Sequence, residues 1–314
     1  MIEVKDLFKA YPGVVAVDRV SFRVERGEIA GFLGPNGAGK STTMRILTCF
    51  LAPTSGSASV AGFDVLRQSM EVRRRVGYLP ENNPLYTEMR VEEYLRFRAR
   101  IKGVARADRE RRVGEVLERV GLSERRRSII QNLSKGLRQR VGLADAIVHG
   151  PEIVILDEPT IGLDPTQVRE VRELIRELGK ERTVLLSSHI LSEVEKVCRR
   201  VLILSRGRLV EQGTPEEIAG RLVRTGRVRL EARGDGRAIK EALEKLPGVA
   251  HVIWENRGEL HGFAVQCADG ADPRAGIFQL CAGKGWTIQE LAWERLSLED
   301  VFSILTAPPA EAAR

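Results

Sequence analysis

The stretch GFLGPNGAGKSTTMRIL, residues 31–47, limits what this chain can fold into more than any other part of it. It meets the pattern G-x-x-x-x-G-K-[ST] through Gly34, Gly39, Lys40 and Ser41, and follows an apolar run, Ile29 to Leu33, that reads as a short buried strand. Strand, loop and helix are therefore expected in that order. Successive N–H groups across Asn36, Gly37, Ala38 and Gly39 can curl inward as an anion nest, and a helix starting near Lys40 adds its positive end. That is a seat for a polyphosphate. Lys40 is expected to reach the β- and γ-phosphates, and the Ser41 hydroxyl, with Thr42 beside it, to ligate the accompanying Mg²⁺.

Length and composition bound the rest. A chain of 314 residues suggests about two domains, and 43% hydrophobic with 30% charged residues describes a soluble globular protein. The opening MIEVKDLFKA does not read as a leader, and the uncharged residues 46–63 are broken by Pro53 and Gly56, so no spanning helix is expected. Cys49, Cys198, Cys267 and Cys281 are far apart, which fits a reducing cytosol and argues against a disulfide framework or zinc site. The net charge is +7, and 40 of the 50 basic residues are Arg, clustered at Arg73 to Arg75, Arg111 to Arg112 and Arg125 to Arg127. No aromatics interleave with these runs. They are read as solvated faces rather than a nucleic-acid or lipid patch, and no nucleic-acid partner is expected.

Along the chain, helical periodicity runs from Thr87 to about Val120, with Val113, Val116, Leu117 and Val120 on one face. Two unbroken apolar runs, Ile153 to Leu156 and Thr183 to Leu186, read as buried parallel strands, with a crossover helix from Gln167 to Leu178. A hairpin at VLILSRGRLVEQG is followed by a helix capped by Thr214, with Pro215 first and Glu217 closing a capping box. Near residue 222 the pattern changes to strand, helix, strand, strand, helix, strand, the ferredoxin-like βαββαβ order. A last capping box, Ser297 to Asp300, opens a stripe of Val301, Phe302 and Leu305.

Further chemistry is expected at strand ends. EIVILDEPT places Asp157 and Glu158 at the C-terminal end of a buried strand, where ligands of open α/β sheets sit. Asp157 would hold the metal's water shell, and Glu158, expected on the other side of the strand, would polarise the attacking water. His189 ends the next strand and would bond the γ-phosphate or position the water. No arginine is placed to stabilise the γ-phosphate from the side opposite the loop. A second anion seat is expected at Ser134 and Gly136, which open another helix. An ordinary helix cap is the competing reading of those two residues.

The motifs GPNGAGKST, LSKG, ILDEPT, GLDP and SSH, in this order, resemble the nucleotide-binding subunit of ABC transporters. The resemblance implies an α/β P-loop NTPase cassette over residues 1–222, with a helical subdomain at about 82–150, followed by a small α+β domain over 223–314. It implies ATP and Mg²⁺ as ligands, and a head-to-tail dimer in which Ser134 and Gly136 serve the ATP held by the other copy. Asp164 would lie at that interface, and Tyr11 would stack on adenine. Lys135 and Leu137 stand where the family usually has Gly and Gln, and Glu81 stands where it usually has a metal-binding glutamine. That loop and LSLEDVF resemble the type 2 exporter branch, including the gliding-motility-associated ATPases. The function implied is a cytoplasmic ATP-hydrolysing motor, held at the inner face of the membrane by a separate permease and acting in export. A soluble ABC-type ATPase acting on nucleic acid and a weakly hydrolysing regulatory subunit are the alternatives.

Overall fold

The computed structural model describes residues 1–222, 227–256, 258, 260–268 and 270–294. The helix expected from Ser297 lies outside them. Backbone contacts divide the chain into two compact units, Met1–Thr214 and Pro215–Arg314. The division falls before the helix that opens at Pro215, earlier than the boundary expected at residue 222.

In chain order the first unit opens with β1 (Ile2–Tyr11), β2 (Val14–Val24), β3 (Ile29–Leu33) and α1 (Lys40–Leu47). Next come β4 (Ser55–Val60), β5 (Phe63–Asp64), α2 (Ser69–Arg75), β6 (Val76–Leu79), α3 (Val91–Ile101), α4 (Arg109–Arg119) and α5 (Lys135–Ile147). It closes with β7 (Ile153–Leu156), α6 (Pro165–Glu181), β8 (Thr183–Ser188), α7 (Leu191–Glu195), β9 (Arg200–Ser205) and β10 (Arg208–Gly213).

These strands form two sheets. One is antiparallel in the order β2-β1-β4-β5, and the other has six strands in the order β10-β9-β3-β8-β7-β6, parallel except for the edge strand β10. All residues of β7 and β8 are buried, as central parallel strands covered on both faces require. The core lies between the sheets and around α1, with Phe22 meeting Phe32 edge to face at 5.0 Å. The expected crossover helix is longer than its periodicity suggested, because Asp164 caps the amides of Thr166 and Gln167 and Pro165 occupies the first position. Helicity in the 87–120 region begins only at Val91, where the Glu93 carboxylate accepts the Arg90 amide at 3.1 Å.

Helix α5 is fastened closely to β6 and to the loop after it. A Cβ on Gly77 would collide with the carbonyl of Ala146, and one on Gly142 with the side chain of Asn83. Asn83 Nδ2 in turn donates to the Arg138 carbonyl at 3.1 Å. Only glycine at both positions permits this approach.

The second unit begins with α8 (Pro215–Leu222) and continues as β11 (Arg227–Arg233), α9 (Gly236–Leu243), β12 (Val249–Glu255), β13 (Leu260–Cys267), α10 (Arg274–Lys284) and β14 (Thr287–Glu294). Its strands pair antiparallel in the order β12-β13-β11-β14, which is the ferredoxin-like arrangement. Val228, Leu230 and Ala232 alternate with charged residues along β11 and pack with Ile239, Leu243 and Ile277 in a separate core.

Most arginines of the clusters form local ion pairs. Arg74 and Arg75 bind Glu71, Arg111 binds Asp108 and Glu115, and Arg126 binds Glu92.

Candidate active site

Three strand ends of the six-stranded sheet build the site. The loop after β3 turns back tightly enough that a Cβ on Gly34 would strike the Leu204 carbonyl. Gly39, at φ 100, adopts a left-handed turn beside the Ala16 carbonyl that a side chain would block. Helix α1 then starts at Lys40 with no side-chain cap, which leaves its first amides facing the loop. The loop borders a cavity of about 700 Å³. Asn36, Gly37, Ala38, Gly39, Lys40, Ser41 and Thr42 all line it, together with Tyr11, Glu81, Glu158 and His189. The sequence-predicted residues of the phosphate side are thus gathered in one place.

The side chains there interlock. Lys40 Nζ donates to the Gly34 carbonyl at 2.6 Å and lies 3.4 Å from Glu158 Oε1. His189 Nδ1 lies 2.9 Å from Glu158 Oε2. Ser41 Oγ donates to Asp157 Oδ1 at 3.1 Å, and Ser187 Oγ donates to the same oxygen at 2.6 Å. Ser187 Oγ also accepts the Glu158 amide at 2.9 Å. Ser187 is the residue whose part the sequence did not reveal. Its signal was a hydroxyl closing the apolar run of β8.

One expectation is corrected. Glu158 does not alternate to the far side of a strand, because β7 ends at Leu156 and Glu158 takes a left-handed conformation at φ 48. The turn instead brings its buried carboxylate against Lys40 and His189. A non-glycine residue in this conformation costs of order 1–3 kcal/mol and persists only where its surroundings hold it. Here the Ser187 and His189 contacts do so.

Asp157 Oδ2 is buried and has no hydrogen-bond partner among the described residues. An unpartnered carboxylate oxygen beside a serine hydroxyl suits a hard divalent cation. Burial, together with the charge of Asp157, pushes the nearby Tyr78 phenol up to about 12. No cluster of three or more His, Cys, Asp or Glu side chains able to hold a metal occurs among the described residues.

Ser134, Gly136 and Asp164 do not line this cavity. They gather elsewhere on the same unit. Ser134 is exposed and accepts the Leu137 amide, so it caps α5. Gly136 abuts Gln167 at the start of α6, which Asp164 caps. Tyr11, at the end of β1, is 42% exposed, with Lys9 Nζ 5.3 Å from its ring centre, so it is not core packing.

The sequence profile described as ABC transporter matches residues 17–161. The ABC transporter ATP-binding protein YxlF of Bacillus subtilis is 35% identical over 302 residues, covering 96% of this chain and 98% of that protein. The chain belongs to the ATP-binding subunits of ABC transporters. Another relative of this ABC cassette is the bacitracin transport ATP-binding protein BcrA of Bacillus licheniformis, 41% identical over 68% of this chain and 69% of its own length. A solved ATP-binding subunit of an ABC transporter superposes with TM-score 0.65 at 36% identity, covering 71% of this chain and 93% of that one. The dimeric bacterial cassette MJ0796 gives 0.63 at 25% identity over 68% and 98%. The fold is accordingly a P-loop NTPase cassette, and the protein is an ABC-type ATPase.

Proposed function

We propose that this ABC ATPase is the motor subunit of an exporter, in which two copies close head to tail around two Mg·ATP and drive a separate integral membrane permease. The observation that carries the reading is the separation of two anion seats on one unit: Ser134 and Gly136 do not line the cavity formed by the loop. A self-complementary pair of such seats is satisfied by two-fold symmetry. No described helix is long and apolar enough to cross a membrane, so the pore is assigned to another polypeptide. Export is favoured by BcrA and by the linearmycin resistance ATP-binding protein LnrL of Bacillus subtilis, 33% identical over 80% of both chains. The protein would then sit in the cytoplasm, at the inner face of the membrane, on its permease. The second unit is assigned an accessory packing role.

Within the site, Tyr11 stacks on adenine, residues Asn36 to Gly39 offer their amides, and Lys40 binds the β- and γ-phosphates. Ser41 and Asp157, with Glu81 lining the same cavity, would hold Mg²⁺, which would neutralise phosphate charge when bound. Glu158 takes the proton of the water attacking the γ-phosphorus, and His189 orients that carboxylate. The bond from the γ-phosphorus to the bridging oxygen breaks, ADP departs on that oxygen, the phosphoryl group leaves as inorganic phosphate, and closure is lost.

Ser134→Asp tests the dimer. Aspartate caps a helix as well as serine does, so α5 is retained. It also places a carboxylate against the other copy's triphosphate. The expected result is a protein that binds nucleotide as a monomer but no longer dimerises with a non-hydrolysable ATP analogue in light scattering. Undiminished dimerisation would refute the head-to-tail arrangement. Asp157→Asn should raise the Mg²⁺ concentration needed for half-maximal turnover by about 10–100-fold, read from a Mg²⁺ titration at fixed ATP.

A further inference from the structure

Two departures in the composite site carry opposite and uncompensated charge. Among the described residues lining the cavity, Lys40 is the only permanent cation, and Glu158 lies 3.4 Å from it. Glu81 lines the same cavity, exposed, with no ion pair or hydrogen bond to its side chain among the described residues. Asp157 is bonded by hydroxyls and no cation. Even with Mg²⁺ beside a triphosphate on the loop, Glu81 adds a carboxylate charge that the one lysine, already paired with Glu158, does not offset. At the other seat, Lys135 has the reverse imbalance. It opens α5 between Ser134 and Gly136, is exposed, and pairs with no carboxylate among the described residues. Its ammonium lies against the backbone of Gly162, where a Cβ would overlap Nζ, so it is held beside the turn that leads to Asp164.

We propose that Lys135 of one copy sets its ammonium against the γ-phosphate on the other copy's loop, where it offsets Glu81. The inference rests on the head-to-tail reading above. A cation supplied in trans stabilises the charge spread over the transferring phosphoryl oxygens, which is the part that no arginine of the loop side provides. It also makes the charges at positions 81 and 135 interdependent. Removing the cation alone leaves Glu81 facing the phosphate. Removing both restores the balance.

The experiment compares the full chain with Lys135→Ala, Lys135→Arg, Glu81→Gln and the Lys135→Ala/Glu81→Gln pair. Three quantities are read: kcat with Mg·ATP, dimer formation with a non-hydrolysable ATP analogue, and nucleotide affinity of the monomer. Lys135→Ala should lower kcat by about tenfold or more and weaken the dimer, with monomer affinity unchanged. Lys135→Arg should retain most of the activity, and Glu81→Gln should recover most of what Lys135→Ala loses. Unaltered monomer affinity also shows that the variants are folded. A wild-type dimer combined with Lys135→Ala within twofold of wild type, or with losses at 81 and 135 that simply multiply, overturns this inference alone. No analogue-induced dimer in the wild type overturns the head-to-tail reading and this inference with it.

Discussion

Replacing Glu158 by Gln is expected to cut ATP turnover by about 10²–10⁴-fold, the usual contribution of a positioned general base, while nucleotide still binds. The substitution keeps the shape of a side chain that is almost fully buried and fixed between Lys40 and His189. The left-handed backbone and the amide bond to Ser187 do not involve the carboxylate and should survive. What is lost is the oxygen charge proposed to take the water's proton. Binding without turnover should leave ATP-closed dimers to accumulate, so phosphate release and size-exclusion chromatography in Mg·ATP should move in opposite directions. Turnover within twofold of wild type would assign the proton to another group.

The second large effect concerns stability. Asp145, on α5, is buried and binds Arg98 Nε at 2.8 Å and Lys102 Nζ at 2.9 Å, both on the segment of α3 and its C-cap, with Tyr94 alongside. Asp145→Ala would leave two cations facing a low-dielectric gap. Breaking such a buried pair from one side costs about 3–5 kcal/mol, which for a unit of this size lowers the melting temperature by roughly 10 °C. Burial alone would raise the Asp145 pKa, but Lys102 and Arg98 outweigh it and hold the carboxyl below its usual range. Burial lowers the Lys102 pKa, so the always-charged Arg98 is the firmer partner. The contribution is therefore complete above the unfolded carboxyl value of about 4 and lost as pH falls through the lower folded value. Thermal melts from pH 7 to pH 3 should show the gap between wild type and Asp145→Asn narrowing at the acid end. A variant that melts with the wild type would remove the cluster from the account.

Features carried by adjacent residues were readable before any coordinates. The edges of β3 and β7 follow from continuous apolar runs that only a strand covered on both faces accommodates. The loop follows from glycines whose side chains would strike Leu204 and Ala16. The second unit's strand order follows from the strand, helix, strand, strand, helix, strand order read along residues 228–291. What escaped depends on residues far apart in the chain. Asp145 looks like an interruption of α5's apolar face until Arg98 and Lys102 are placed against it, and Ser187 looks like a strand end until it is found between Asp157 and the Glu158 amide. The turn of Glu158 was hidden for a different reason. A left-handed glutamate has no local propensity to announce it, and only the tertiary contacts sustain it.

The tight seating of α5 on β6 joins parts of the molecule that would otherwise answer to different nucleotides. The front of α5 carries Ser134, and its flank is locked through Gly77, Gly142 and Asn83 to the strand that leads to Glu81. A tug on the helix tip is transmitted to the wall of the neighbouring cavity as through a strut. In the head-to-tail dimer proposed above, filling one pocket would then bias how the other grips its own ligand, and reciprocity would oblige the second to act on the first by the same factor. Two missing side chains, at Gly77 and Gly142, would then be what lets the pair of pockets keep time with each other.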